Sequence, residues 1–211
     1  MIVVILCAGR GQRLSSVLPP GVNKCAVDIN GIPFIRLLID HMRGWGLGRF
    51  ILCAGYGADS ITNAVKGIRG VGVIDCGPES KGTARTLLDI GDRSSPLIVV
   101  NGDTWIDLDR YDWREIVKRL RKLETAILFG HNDRNCGLRW IKHPVKTLPW
   151  LESYTRKNPN VGIDDALLLA GAERVNTVVD WIDIGTPERL DQFRKEWLKG
   201  KGRIWQTDSI G

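Results

Sequence analysis

The chain has no Cys-x-x-Cys pair. Its five cysteines, Cys7, Cys25, Cys53, Cys76 and Cys136, are widely spaced and odd in number. This argues against a thiolate metal centre and against a disulfide framework, and points to a reducing compartment. Most of the five lie in apolar runs, where a free thiol behaves as a small hydrophobe. No apolar stretch is long enough to cross a bilayer. The apolar N-terminal run is too short for a secretory signal and ends in a glycine loop, so the chain reads as cytoplasmic with no membrane partner. Internal repeats and low-complexity tracts are absent. The formal net charge of +6 favours anionic ligands. The Lys and Arg residues are scattered and form no recognisable nucleic-acid module, so no nucleic-acid partner is expected.

What is present is organised around Leu6-Cys7-Ala8-Gly9-Arg10-Gly11-Gln12-Arg13-Leu14, with Lys24 shortly beyond it. The β-branched run Ile2-Val3-Val4-Ile5 leading into it predicts a buried strand. Gly9 and Gly11 are expected to take positive φ and allow close approach of a ligand. Successive N–H groups in such a loop form an anion-binding concavity. Arg13 can grip phosphate oxygens as a fork, and Lys24 supplies a compact charge. The loop lacks the third glycine of a dinucleotide fingerprint and the Gly-Lys-Ser/Thr of a P-loop, so it is a phosphate site of another kind.

Strand and helix patterns alternate from the N-terminus to about residue 130. Apolar strand runs stand at Phe50–Ala54, Val71–Ile74, Leu97–Val100 and Thr125–Phe129, with helical patterns between them. Such alternation implies parallel strands, right-handed crossovers and helices on both faces. Asn30-Gly31 signals a tight turn. The stretch Gly130–Val179 is polar and irregular, with a candidate strand at Gly137–Lys142 and a short candidate helix at Asp164–Ala170. Trp181–Ile184 reads as a strand, followed by a helix that Thr186 caps and Pro187 starts, running to about Leu198. The remainder, Lys199 onward, reads as a basic mobile tail, with Ile204 and Trp205 as candidate docking residues.

Two carboxylates stand out. Asp103 ends the apolar run Val99-Val100-Asn101-Gly102, which sets it at the same sheet edge as the glycine loop. Asp183 lies in Asp180-Trp181-Ile182-Asp183-Ile184, pointing away from its apolar neighbours. Two aspartates far apart in sequence that converge on one ion are a usual way to hold Mg²⁺ over phosphates. Gly82-Thr83-Ala84 opens a helix and can face a base edge or a phosphate.

Taken together, the Leu-x-Ala-Gly-x-Gly-x-Arg-Leu loop, Lys24, Gly82-Thr83-Ala84, Gly102-Asp103 and Asp183-Ile-Gly-Thr-Pro-Glu188 resemble the sugar-1-phosphate nucleotidyltransferase family. The likeness covers residues 2 to about 128 and about 180 to 195. Within the family it is strongest to the heptose 1-phosphate guanylyltransferases, through Ser16-Val17, Asn30-Gly31-Ile32-Pro33-Phe34 and Asn101-Gly102-Asp103-Thr104 with Asp107. The resemblance implies an α/β, Rossmann-like (GT-A-like) three-layer sandwich with a mainly parallel mixed sheet, formed by one domain over 1–211. Residues 1–130 would be the nucleotide-binding core and 131–180 a shortened sugar-binding part. Residues 181–199 would hold the metal-ligand strand and C-terminal helix, and 200–211 the tail. It also implies roles. Leu6, Ala8, Gly9, Gly11, Gly82 and Thr83 would hold the nucleotide, Arg13 the triphosphate, and Lys24 the charge at the α-phosphate. Asp103 and Asp183 would hold Mg²⁺, and Lys142 and Asn160 the sugar phosphate. The implied reaction joins an NTP, GTP by preference, to a heptose or hexose 1-phosphate with release of pyrophosphate, and a homodimer is compatible with it. A phosphocholine cytidylyltransferase and a non-catalytic nucleotide-binding relative are the alternatives. In this chain Arg10, Gln12 and Asn23 replace the family's usual glycine, threonine and proline.

Overall fold

The computed structural model describes residues 1–78, 82–159 and 161–199. Strand β1 (Ile2–Cys7) is followed by a hairpin of β2 (Asp28–Ile29) and β3 (Ile32–Pro33), then α1 (Phe34–Gly44), β4 (Phe50–Ala54), α2 (Ala58–Ala64) and β5 (Val71–Asp75). Next come α3 (Thr83–Leu88), β6 (Leu97–Asn101), β7 (Thr104–Asp107), α4 (Arg110–Leu120) and β8 (Thr125–Phe129). The chain then forms β9 (Asn135–Ile141), α5 (Pro144–Lys157), α6 (Ile163–Leu169), β10 (Glu173–Asn176), β11 (Asp180–Asp183) and α7 (Pro187–Leu198).

Seven strands form one sheet in the order β10-β8-β9-β6-β1-β4-β5. All run parallel except β9, which is antiparallel to both β6 and β8. The sheet is buried on both faces. Alternate residues of β1 serve different cores: Val3, Ile5 and Cys7 pack with α1, α4 and α7, while Ile2, Val4 and Leu6 pack with α3, α5 and α6. That two-sided burial is why β1 is apolar without a break. It also makes the three-layer arrangement. All five cysteines are free and buried in these cores.

Asn30 and Gly31 both take positive φ, 51° and 93°, and turn β2 into β3 as Asn-Gly predicts. Helix α5 is an element that the local sequence pattern does not announce. Its start at Pro144 uses the missing proline N–H at the first helical position, and it tolerates a second proline, Pro149, inside. No helix among the described residues is long and apolar enough to cross a membrane. Glu79–Lys81, Asn160 and the tail from Gly200, with Ile204 and Trp205, lie outside the described residues.

Two features of the topology position a site. In register, Leu6 of β1 faces Asn101 of β6, and Gly102 N–H donates to the Leu6 carbonyl at 3.0 Å. The glycine loop and Asp103 therefore leave the sheet side by side at its C-terminal edge. The second feature is a two-stranded ribbon in which β11 pairs antiparallel with β7, setting Asp183 opposite Thr104. Trp105 of β7 anchors that ribbon among Phe34, His41, Phe193 and Trp197.

Candidate active site

After β1 the chain turns at Gly11, whose φ of 63° is left-handed. Gly9 has no such requirement. The sequence expectation of positive φ at both glycines holds only at Gly11. Gly11 also makes room for Lys24, whereas a side chain at Gly9 would meet it at ordinary contact distance. A Cβ on Gly9 would lie 3.6 Å from Lys24 Cε, and one on Gly11 only 3.0 Å from Lys24 Cβ. The lysine stem thus crosses the loop and carries its ammonium to Asp103, with which it forms an ion pair. Lys24 is held in place by Asn23. The Asn23 amide is fully buried and donates to the carbonyls of Cys7 at 2.7 Å and Tyr56 at 2.6 Å, and its oxygen accepts from Cys25 N–H. Burial is the largest single influence and would lower the Lys24 pKa, but the charge and hydrogen bond of Asp103, together with Cys25 and Cys7, raise it above its ordinary value.

Asp103 is fixed from behind. Gly102 sits where a Cβ would meet Cys7 Sγ at 2.5 Å, Cys25 Sγ at 2.9 Å and the Leu6 carbonyl oxygen at 3.0 Å, so only glycine fits. Ile184 N–H donates to the Asp103 carbonyl at 2.9 Å, which ties the two aspartate segments together. Asp183 accepts from Gly185 N–H at 3.1 Å through Oδ1 and pairs with Arg189 through Oδ2. Gly185 in turn is packed closely enough that a Cβ would meet Asp183 Oδ1 at 2.9 Å and Arg13 Nη2 at 3.0 Å. Asp103, Asp183, Arg13 and Arg189 all line one cavity of about 300 Å³, with Asn101, Thr104, Asn135, Gly137, Arg139, Asp164 and Trp181.

Arg139 and Arg189 are site residues that sequence reasoning misses. The Arg139 guanidinium is 3% exposed in the interior of β9. Its Nε and Nη2 form a fork on Asp164 at 2.6 and 2.5 Å, and Nη1 donates to Asn101 Oδ1 at 2.6 Å and the Gly137 carbonyl at 2.9 Å. The only sequence signal is a charged residue inside the otherwise apolar Leu138-Arg139-Trp140-Ile141. A buried cation needs such partners. Arg189 stands at the third helical position of α7, and the Thr186 hydroxyl caps its N–H at 3.4 Å.

Other expected site residues lie elsewhere. Leu6, Ala8, Gly9, Gly11, Gly82 and Thr83 do not line this cavity. Leu6 to Gly11 form its neighbouring loop, whereas the Thr83 hydroxyl accepts from Ile163 N–H at 3.0 Å and so joins α3 to α6. Lys142 is a correction. Because β9 is antiparallel, Leu138 lies beside Val100 near the site edge and Ile141 beside Leu97 at the far edge. Lys142 follows at that far edge, 3.2 Å from Glu124, remote from Asp103. Asn160 lies outside the described residues.

A second cavity of about 550 Å³ adjoins the first and shares Trp181, Asp183 and Arg189 with it. Its walls include Trp105, Phe193 and Trp197, together with Asp107, Asp180 and Glu196. Asp107 and Asp180 are directly opposed across the β7–β11 ribbon. Burial and then the facing Asp180 charge raise the pKa of Asp107.

A site for a divalent cation can be judged from these donors. Among the described residues no group of three or more His, Cys, Asp and Glu forms an all-protein cage. Mg²⁺ does not need one, since it is held by one or two carboxylates plus substrate phosphates and water. Two aspartates opening on one cavity suit that requirement.

The family model of the MobA-like NTP transferase domain matches residues 3–175. HddC from Yersinia pseudotuberculosis superimposes with a TM-score of 0.73 at 23% identity, over 93% of this chain and 99% of that one. The same protein complexed with GMP-PN gives a TM-score of 0.72 at 24% identity over the same shares of the two chains. The inositol-1-phosphate CTP transferase from T. maritima gives 0.73 at 15% identity, over 97% of each chain. At the sequence level the bifunctional protein GlmU of Pelotomaculum thermopropionicum is 32% identical over 105 residues, 48% of this chain. That segment spans about a fifth of the relative's length, 21%.

Proposed function

The chain belongs to the MobA-like NTP transferase domain family, and on that premise we propose that it transfers a nucleotidyl group from an NTP to a sugar 1-phosphate, releasing pyrophosphate. The observation that carries this reading is the cavity shared by Asp103 and Asp183, next to the glycine loop, with Lys24 on Asp103 and Arg13 beside Asp183. Nucleotidyl transfer needs positioning and charge neutralisation more than covalent help. That is what these residues offer.

In this reading the acceptor's phosphate oxygen attacks the α-phosphorus, a new P–O bond forms, and the bond to pyrophosphate breaks. The loop from Leu6 to Gly11 holds base and ribose through backbone groups, and Gly82 and Thr83 contribute from the start of α3. Arg13 binds the triphosphate. Lys24 faces the α-phosphate, where negative charge accumulates. Asp103 and Asp183 would hold Mg²⁺, which when bound neutralises phosphate oxygens. GTP is the favoured though not exclusive donor, supported by the HddC complex with GMP-PN. The acceptor is a heptose or hexose 1-phosphate. The proposal extends to one domain over 1–211, a cytoplasmic location and a homodimer.

One observation favours a second acceptor class. The aromatic walls of the larger cavity, with Asp107, Asp180 and Glu196, suit a cationic head group such as that of phosphocholine. A pyrophosphate-release assay with four NTPs against sugar 1-phosphates and phosphocholine separates the readings. The proposal predicts release with GTP and a sugar 1-phosphate. Release confined to CTP with phosphocholine would replace it, and nucleotide binding without release for any pair would make the protein a non-catalytic relative.

A further inference from the structure

Resting on the transferase reading, we propose that Arg189 is a counter-ion that a divalent cation displaces from Asp183, and that the freed guanidinium then grips the phosphate of the acceptor in the 300 Å³ cavity.

The first half follows from the two carboxylates. Without a metal, each is neutralised by its own cation, Asp103 by Lys24 and Asp183 by Arg189. Asp183 Oδ1 accepts from Gly185 N–H, so Oδ2 is the less engaged oxygen on the backbone side and the one best placed for a metal, and Arg189 occupies it. Metal and guanidinium therefore compete for one atom.

The second half follows by asking which cation is left for a phosphate monoester. Lys142 is at the opposite sheet edge, 3.2 Å from Glu124. Arg139 has its Nε, Nη1 and Nη2 committed to Asp164, Asn101 and Gly137. Lys24 faces the α-phosphate, and Arg13 serves the triphosphate. Among the described residues the Arg189 guanidinium bonds only Asp183; it lines both cavities, and its side chain is 42% exposed, which leaves it room to swing. It also sits in the first turn of α7, where a cation opposes the helix dipole. Helix stability does not explain its presence, whereas a task at the cavity does. A guanidinium fork matches two phosphate oxygens.

The inference predicts that metal and acceptor phosphate bind cooperatively, and that Arg189→Gln shifts the two affinities in opposite directions. Mn²⁺ binding to the nucleotide-free protein, followed by the free Mn²⁺ paramagnetic resonance signal, should tighten about tenfold in Arg189→Gln, because its competitor is gone. Inorganic phosphate, titrated calorimetrically into protein loaded with Mn²⁺ and a non-hydrolysable GTP analogue, should bind about tenfold more weakly in the same variant. Arg189→Lys should fall between the two in both measurements. Unchanged or weaker Mn²⁺ binding in Arg189→Gln, or phosphate affinity within twofold of the parent, overturns the proposal. The Mn²⁺ titration needs neither nucleotide nor turnover, so absence of nucleotide binding or transferase activity would count against the functional reading while leaving that arm of the test intact.

Discussion

Lys24 carries the sharpest prediction. Its stem lies over Gly9 and Gly11, and its ammonium pairs with Asp103 at the mouth of the site, with the side chain 19% exposed. An attacking phosphate and the α-phosphate are both anions. At about 4 Å two unit charges repel by about 4 kcal/mol at an effective dielectric of 20. A fixed cation at that point offsets the repulsion most in the transition state, where the charges are closest. Removing one preorganised group of this kind costs about 10²–10³ in turnover. Lys24→Met keeps an apolar stem over the two glycines and deletes only the charge. We expect kcat to fall by about 10²–10³, with a smaller change in KM for the NTP. Lys24→Arg should recover only part, because a planar guanidinium is a poorer fit between Gly11 and Asp103. Because its pKa is raised, Lys24 keeps its charge to higher pH than an ordinary lysine, so activity at neutral pH should not depend on its titration. Steady-state kinetics of the purified variants, with thermal melts to verify folding, decide the matter. Near-normal kcat in a folded Lys24→Met protein would refute the reasoning.

Three further outcomes follow from the packing. Gly102→Ala forces a methyl group into Cys7 Sγ, Cys25 Sγ and the Leu6 carbonyl oxygen. Overpacking of this kind costs about 1–3 kcal/mol and moves Asp103, so both melting temperature and turnover should drop. Asp164→Asn leaves the buried Arg139 without its counter-charge, and a loss of about 3–5 kcal/mol in urea unfolding is expected. His41 is buried between Trp45 and Trp105, its Nε2 bonds the Ile106 carbonyl at 2.8 Å, Nδ1 has no partner among the described residues, and burial pushes its pKa down to about 4. The unfolded chain takes up this proton near pH 6.5 and the folded one only near 4. Its contribution of about 3 kcal/mol is thus fully present above 6.5 and lost as pH falls through that window. His41→Phe should flatten the stability profile between those pH values, as read by urea unfolding across pH.

Local patterns made much of the architecture legible. The apolar runs Ile2–Ile5, Phe50–Ala54 and Thr125–Phe129 became strands because burial on both sheet faces demands such runs. Thr186-Pro187 started α7 as a cap and first-turn pair should. The convergence of Asp103 and Asp183 has a non-local physical cause, the pairing of β11 with β7. What local pattern does not reveal also has physical causes. Pro149 and a polar face hide α5. Lys142-His143-Pro144 looks like a binding tripeptide but is the entry to that helix. The antiparallel insertion of β9 cannot be read from its own residues, yet it sends Lys142 to the wrong edge and brings Gly137 and Arg139 to the right one. Arg189 escapes notice because a cation on an amphipathic helix is usually solvated, and only its ion pair with Asp183 marks it out.

The most direct test of the account compares Mg²⁺-dependent pyrophosphate release, from GTP and a sugar 1-phosphate, in the parent protein, Asp103→Ala and Asp183→Ala, each verified as folded by circular dichroism. The account predicts release by the parent and its loss in both variants. An Asp183→Ala protein that releases pyrophosphate at the parental rate with the same Mg²⁺ dependence would contradict it.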